Sequence, residues 1–322
     1  MARTRYAPDR GLTTRMTLTM FLLGLVFVIF VALIIGIMTA AKVSAAGIIV
    51  VAVIFGGGSA FISLFYSDKI ALAAAGAREV SPQDGPQAAR LHGIVDRLCA
   101  LADMDKPRVA IAPGPMMNAF ATGRNSKHSV LCATSPLLEQ LDNDELEGVL
   151  AHELSHVAHR DVQVMTYASL LAIVAGLLVR FAFYSELFGG GRRSNNNNDS
   201  GALVIFGIMA VSAIIYAISF LLIRVLSRYR ELAADRSGAL LTGQPSALKS
   251  ALIKVSGSMS RIPTQDLRAA EPLNAFYFAP ALNLRNPGAS LSKLFSTHPS
   301  LERRIEELDK IQQQLGQISP KQ

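Results

Sequence analysis

Long apolar segments without charged residues constrain the fold of this chain more than any other feature. A helix needs about 20 consecutive apolar residues to cross the roughly 30 Å of hydrocarbon in a bilayer. Four segments qualify, although the third is interrupted by Arg180, which can snorkel to the interface from near a helix end. The sequence therefore predicts four transmembrane helices, at residues 16–41, 43–67, 164–188 and 202–223.

The composition of the 322-residue chain agrees with membrane insertion. Charged residues make up 17% of the chain, whereas they make up roughly 25% of an average soluble domain. The first apolar segment is much longer than the roughly 7–15 apolar residues of a signal peptide, so we expect an uncleaved anchor. Cys99 and Cys132 form no Cys-x-x-Cys motif and are expected to be reduced core residues.

Basic residues are distributed unequally around the apolar segments. Four arginines precede the first segment and three closely follow the fourth, whereas the loop after the first segment has only Lys42 and the loop after the third only Arg192 and Arg193 as Lys or Arg. The positive-inside rule then places both termini, residues 68–163 and residues 224–322 in the cytoplasm, and the loop 189–201 outside it. The formal charge of +7 and the pI near 9.6 suit a membrane-surface protein. No basic patch with interleaved aromatic residues indicates nucleic-acid binding.

The segment between the second and third predicted spans has the pattern of a small α+β domain. Short apolar runs bounded by turn residues predict strands at residues 108–113, 118–123 and 129–134. Asp142 and Glu145 have the spacing of a capping box and predict the start of a helix. With the spans, the predicted fold class is α+β and mostly helical.

That helix contains the motif His152-Glu153-x-x-His156. Histidines four residues apart lie on one face of a helix, about 6 Å from each other, and can bind one zinc ion together. Glu153 lies beside them, where it can take a proton from an activated water and pass it to a leaving amine. The alternative without function is a pair of surface histidines on a polar helix.

A catalytic zinc ion takes three protein ligands and keeps one position open. His159 lies on nearly the same face, but one straight helix rarely supplies three ligands, so we interpret it as a neighbour. Glu231 follows the fourth span on the same side of the membrane, and it is the best source of the third ligand. Asp235 shares its helix face and could orient a ligating histidine. Alternatively, both carboxylates form a solvated face that pairs with nearby arginines.

The order of these motifs resembles the HtpX-type membrane zinc metalloproteases, gluzincin-like peptidases whose family includes the CAAX prenyl endopeptidases. The resemblance covers roughly residues 21–305 and rests on HELSH, two further spans, E-x-x-x-D, MNAFATG and LFSTHPSLERRI. It implies zinc ligands at His152, His156 and Glu231, a general base at Glu153, and a role in membrane-protein quality control.

Two further sites are implied by the resemblance alone. Asn118, Ala119 and Phe120 resemble an edge strand that binds an extended substrate through backbone hydrogen bonds. They could equally be an ordinary strand, and the same triplet recurs at residues 274–276. His298 resembles a histidine that stabilises the oxyanion of the reaction, and it could as well be a residue at the start of the last helix.

These predictions divide the chain into four parts. Residues 1–67 form a cytoplasmic arm and a first transmembrane hairpin, and residues 164–223 form a second hairpin. Residues 68–163 and 224–322 together form a cytoplasmic zincin-like domain that contains the HExxH helix and a small β-sheet.

We therefore expect a multi-pass endopeptidase of the cytoplasmic (inner) membrane that holds one Zn²⁺ per chain and hydrolyses membrane or misfolded proteins on the cytoplasmic side. Its partners would be protein substrates and the lipid bilayer, with no nucleic acid and with no oligomeric state predicted. The alternatives are an intramembrane or prenyl-protein zinc protease, and a non-catalytic membrane scaffold with a structural metal. Charged residues just upstream of the motif disfavour the intramembrane enzyme.

Overall fold

The computed structural model describes residues 10–40, 57–189, 199–259 and 298–318. These residues are mostly helical and include one small mixed β-sheet, which confirms the predicted class at that level. The chain forms two compact units. We call them the apolar unit (Arg15–Ser63 and Val164–Leu226) and the sheet unit (Met1–Thr14, Leu64–Gln163 and Ser227–Gln322).

Long apolar helices build the apolar unit. They are α1 (Arg10–Ala40), the first residues of α2 (Gly58–Ala74), α6 (Asp161–Gly189) and most of α7 (Asp199–Thr242). Among the described residues, three helices are long and apolar enough to cross a membrane, within α1, α6 and α7. Most of the predicted second span lies outside the described residues, so its remainder appears only as the start of α2.

The described helices of the apolar unit pack against one another through one set of apolar side chains and expose another set on their outer surface. Leu23, Phe30 and Ala175 belong to a buried cluster, whereas Phe21 and Val28 are 65% and 63% exposed. Such large exposed apolar side chains are unusual for a surface in water and suit contact with lipid.

The helices extend beyond the predicted spans because a helix continues wherever its backbone hydrogen bonds continue, whereas a span ends at the first charges. α1 begins at Arg10, before the predicted start at residue 16, and α2 continues to Ala74, beyond the predicted end at residue 67. The 44 residues of α7 form one helix about 66 Å long, roughly twice the thickness of the hydrocarbon layer.

The sheet contains β1 (Arg78–Glu79), β2 (Arg108–Ala112), β3 (Ala119–Gly123) and β4 (Ser129–Thr134) in the order β1-β2-β4-β3. β2 pairs with β4 in parallel, and the other two pairs are antiparallel. The three predicted strands are confirmed, while the two-residue β1 was not predicted. β3 is an edge strand, so one side of its backbone does not pair with another described strand.

Gly123 ends β3 where the chain turns back toward β4. Its φ is +143°, and a Cβ atom there would lie 2.2 Å from the carbonyl oxygen of His128. No other residue type fits this position without moving the backbone.

Helices α3 (Pro86–Ala102), α4 (Ser135–Gln140) and α5 (Asn143–Ala158) share one buried core with the sheet. The predicted capping box at the start of α5 is confirmed. Asp142 Oδ1 accepts the N–H of Glu145 at 2.9 Å, and Glu145 Oε2 accepts the N–H of Asp142 at 3.1 Å. Glu145 also accepts hydrogen bonds from Ser250 and Lys254 of α8 (Pro245–Met259), so the cap attaches α8 to α5.

The end of α7 approaches α5 closely at Gly238. A Cβ atom at this position would lie 2.8 Å from the backbone nitrogen of His152. The contact at Gly238 therefore sets the distance between α7 and the helix that carries the HExxH motif.

The last described helix, α9 (Leu301–Ile318), packs on α8 and contributes Leu308 and Ile311 to the same core.

We expect the substitution Gly238→Ala to destabilise the sheet unit by about 1–3 kcal/mol, because the added methyl group meets helix backbone rather than a mobile side chain. Gly257→Ala is the matched control, since Gly257 is exposed in α8 and a methyl group added there would meet no atom within 4 Å. Thermal unfolding of the full chain in detergent measures both, and equal melting temperatures for the two variants would contradict the proposed close contact.

Candidate metal centre

Helix α5 places His152 and His156 on one face, as the four-residue spacing predicts. Their Nε2 atoms lie 3.2 Å apart, and His152 is buried. α7 adds Glu231, with one carboxylate oxygen 3.7 Å from His152 Nε2 and the other 3.5 Å from His156 Nε2. One ligand atom from each of the three residues lies within 4.8 Å of the others.

The second nitrogen of each imidazole is bonded to an aspartate. Nδ1 of His152 lies 2.9 Å from Asp235 Oδ1, and Nδ1 of His156 lies 2.5 Å from Asp161 Oδ2. An ionised carboxylate only accepts hydrogen bonds, so each ring donates from Nδ1, and in the neutral form of the ring Nε2 carries the lone pair. The two lone pairs converge beside the Glu231 carboxylate. This donor set fits a divalent metal ion, and its chemistry is that of zinc sites.

The two histidines differ in proton affinity. Burial lowers the pKa of His152, against the effect of the neighbouring Asp235. Burial acts the same way on His156, but there the hydrogen bond to Asp161 and its negative charge prevail and raise the pKa to about 9. The more basic ring is thus the one at the end of α5.

Glu153 is buried beside the histidine pair, next to the edge strand. Its Oε2 accepts the backbone N–H of Ala121 at 3.1 Å. Burial raises the pKa of Glu153 to about 8, opposed by the positive charge of His156 and reinforced by Glu231. The carboxyl group therefore has a proton affinity near neutrality, which suits a group that accepts and returns protons.

His298 and His159, the two further histidines near the motif, take different positions. His298 is buried with its Nδ1 3.0 Å from Glu231 Oε2, so it lies directly beside the three-residue cluster. His159 caps the end of α5 and places its Nε2 3.4 Å from the hydroxyl of Ser237.

The predicted substrate strand lies at the edge of the sheet. Asn118 exchanges hydrogen bonds with Thr134 on the β4 side: its N–H donates to Thr134 Oγ1 and its carbonyl accepts from the Thr134 N–H. The hydrogen-bonding direction alternates along an antiparallel strand, so Phe120 also bonds toward β4. Ala119 and Ala121 direct their backbone groups to the open edge, where Glu153 lies. The repeated triplet at residues 274–276 lies outside the described residues.

Three buried residues of this region were not predicted: Asp161, Arg230 and Arg304. The burial of Arg304 could have been predicted from the sequence, because Arg304 lies in the apolar stripe of α9 between Leu301 and Leu308. A charged residue in such a stripe needs a buried partner. No sequence feature indicated that Asp161 belongs to the site, since an acidic residue at a helix N-terminus is ordinarily explained by the helix dipole.

Comparison with known proteins places these features in a family. The model of peptidase family M48 matches residues 86–312. Protease HtpX homolog 1 of Streptomyces coelicolor is 53% identical over 98% of this chain and 97% of its own length. The Protease HtpX homolog of Moorella thermoacetica is 49% identical over 97% and 98%.

A solved structure shares the fold. The crystal structure of S. mikatae Ste24p matches with a TM-score of 0.52 at 17% identity, over 92% of this chain and 67% of that chain. The family match and the HtpX relatives assign the protein as a membrane-associated, metal-dependent peptide hydrolase: the chain belongs to peptidase family M48.

Proposed function

We propose that the protein is a zinc endopeptidase of the cytoplasmic membrane, with His152, His156 and Glu231 as ligands and Glu153 as general base. The observation that carries this proposal is the convergence of two imidazole Nε2 atoms and one carboxylate within 4.8 Å, next to a buried glutamate. A three-ligand set leaves a position open for water or substrate, as catalytic rather than structural zinc sites do.

Zinc is the metal that the donors favour. Imidazole and carboxylate ligands in a set of three are typical of catalytic zinc, whereas magnesium and calcium prefer oxygen ligands alone. We propose one ion per chain. When bound, it would polarise the peptide carbonyl and acidify the attacking water.

The side chains around the ion would handle protons and charge. Glu153 takes the proton of the attacking water and delivers it to the leaving amine, and the Ala121 N–H keeps its carboxylate in place. His298 lies close enough to Glu231 to share in stabilising the oxyanion.

The open edge of β3 would hold the substrate. Ala119 and the carbonyl of Ala121 face this edge, and an extended peptide could pair with them as an additional strand, while the Ala121 N–H stays with Glu153. Recognition through backbone groups accepts many sequences, which suits an enzyme that degrades damaged proteins. We propose Asn118, Ala119 and Phe120 as the segment that supports this pairing.

We propose that the substrates are membrane proteins or misfolded proteins met at the bilayer surface, in membrane-protein quality control. Two observations support this proposal. The chain contains long apolar helices, and Glu231 lies on α7, the same continuous helix that contains the last candidate span. The basic residues that flank the spans support a cytoplasmic site and multi-pass insertion with both termini in the cytoplasm.

We expect Glu231→Ala to lose bound zinc, because two imidazoles alone bind the ion weakly. Elemental analysis of the purified full chain measures the zinc content per chain. Glu302→Ala is the control, since Glu302 is exposed on α9. Wild-type zinc content in Glu231→Ala would remove this residue from the site.

We expect Glu153→Gln to retain zinc and to cleave an unfolded protein such as casein about 10²–10⁴-fold more slowly than wild type, because the amide cannot accept the proton. The elemental assay on the same sample separates loss of the base from loss of the metal. Cleavage at the wild-type rate by a zinc-loaded Glu153→Gln variant would exclude the mechanism.

Cysteine labelling tests the orientation. Both native cysteines are buried, and burial raises the pKa of Cys99 to about 11 and of Cys132 to about 12, so they react slowly. We expect a membrane-impermeant maleimide to label Ser194→Cys in intact spheroplasts, and to label the exposed position of Lys127→Cys only after permeabilisation. The reverse pattern would place the site outside the cytoplasm.

A further inference from the structure

Arg304 is the largest fully buried side chain among the described residues, with 1% of its surface exposed. A buried guanidinium is costly unless its charge and its donors are matched. Asp235 supplies the match, since Arg304 Nε donates to Asp235 Oδ2 at 2.7 Å and an Nη atom donates to Asp235 Oδ1 at 2.6 Å. This two-point geometry fixes the plane of the carboxylate as well as its position.

The same carboxylate oxygen contacts His152. Asp235 Oδ1 receives the guanidinium of Arg304 and lies 2.9 Å from His152 Nδ1. The orientation of the imidazole, and therefore the direction of its Nε2 lone pair, follows the orientation of this carboxylate. Arg304 also approaches His152 Nδ1 directly, but at 3.5 Å, whereas its bonds to Asp235 are 2.6 and 2.7 Å long. Its main effect on the histidine therefore passes through the aspartate, from a helix that otherwise contributes apolar residues to the core.

An equivalent arrangement surrounds the second histidine. Asp161 lies 2.5 Å from His156 Nδ1 and forms an ion pair with the buried Arg230. The structure therefore contains two chains of contacts with the same order, arginine to aspartate to histidine. Helix α7 contributes to both, with Asp235 to the first and Arg230 to the second, while Arg304 comes from α9 and Asp161 from α6. A single buried ion pair formed for packing alone would not explain why the same order of contacts occurs twice.

The arginines also set the charge of the site. Each one offsets the negative charge of the aspartate that it contacts, so the two aspartates orient histidines without adding net charge near the ion. Arg304 Nη1 also lies 3.9 Å from Glu231 Oε2, which adds a weaker interaction with the third candidate ligand.

We propose that Arg304 is a positioning residue of the metal centre, which holds Asp235 so that His152 presents Nε2 to the ion. This role rests on the proposed ligand set of His152, His156 and Glu231. Arg304 itself touches neither substrate nor ion. Its removal therefore weakens zinc binding by way of Asp235, and the site should be sensitive to the shape of the guanidinium as well as to its charge.

Zinc affinity of the full chain in detergent, measured by competition with a chromophoric chelator, tests the proposal. We expect Arg304→Gln to weaken zinc binding about tenfold or more, the size of effect found for groups that orient metal ligands. Arg304→Lys keeps the charge but cannot donate to both oxygens of Asp235 in the same way. The zinc affinity of this variant should therefore lie between those of wild type and Arg304→Gln. Arg303→Gln is the control, because Arg303 is the exposed neighbour of Arg304 on α9. The Arg303→Gln variant should bind zinc with wild-type affinity.

A double-mutant cycle separates positioning from general packing. If Arg304 acts through Asp235, Arg304→Gln should change zinc affinity by less than about twofold once Asp235→Asn is present, since interacting residues are not additive. Full tenfold losses in both backgrounds would overturn the proposal. So would wild-type affinity in a folded Arg304→Gln variant. If Arg304→Gln does not fold, Arg304→Lys enters the same cycle.

The outcome for the ligand set is distinguishable from the outcome for Arg304. Zinc retained by Glu231→Ala would reject the proposed ligands. Zinc lost by Glu231→Ala but bound normally by Arg304→Gln would reject only the positioning role.

Discussion

The candidate metal centre depends on the close packing of α7 against α5. Gly238 lets the two helix backbones approach until a methyl group would no longer fit above His152. Glu231 and Asp235 precede Gly238 by about two turns and one turn, so this one contact brings both carboxylates to the histidine face. A wider interhelical distance would separate the donor atoms beyond the reach of one ion.

Assembling so many charges in a buried place is possible because each has a fixed counterpart. Asp235 and Asp161 each bond a guanidinium and an imidazole, and these contacts satisfy carboxylates that would otherwise be costly to bury. The carboxylate that faces the histidine nitrogens is that of Glu231, to which no arginine of the described residues is bonded in the same two-point way. The interior of the site is therefore prepared for a cation, and its polar groups need little rearrangement when one binds.

The sequence was sufficient for the features that depend on local spacing and insufficient for those that depend on contact between distant helices. The HExxH face, the capping box at Asp142 and the three longer strands follow from neighbouring residues, and the structure contains each of them. The partnership of His156 with Asp161 depends on how the chain turns between α5 and α6, which no periodicity encodes. Arg304 lies between these cases, because its place in an apolar stripe signals burial but not which carboxylate it meets.

Glu153 connects the metal centre with the edge of the sheet. Its neighbours on α5, Ala151 and Leu154, share one buried core with Ala119 of β3, so the helix packs directly on this strand. The Ala121 N–H donates to Glu153 and thereby fixes the carboxyl group relative to the strand as well as to the helix. In the proposed mechanism, a peptide held along β3 would therefore lie at a distance from Glu153 and from the histidine pair that is set by core packing. A loop in place of β3 would leave that distance free to vary, whereas the proton transfer proposed for Glu153 requires a fixed distance.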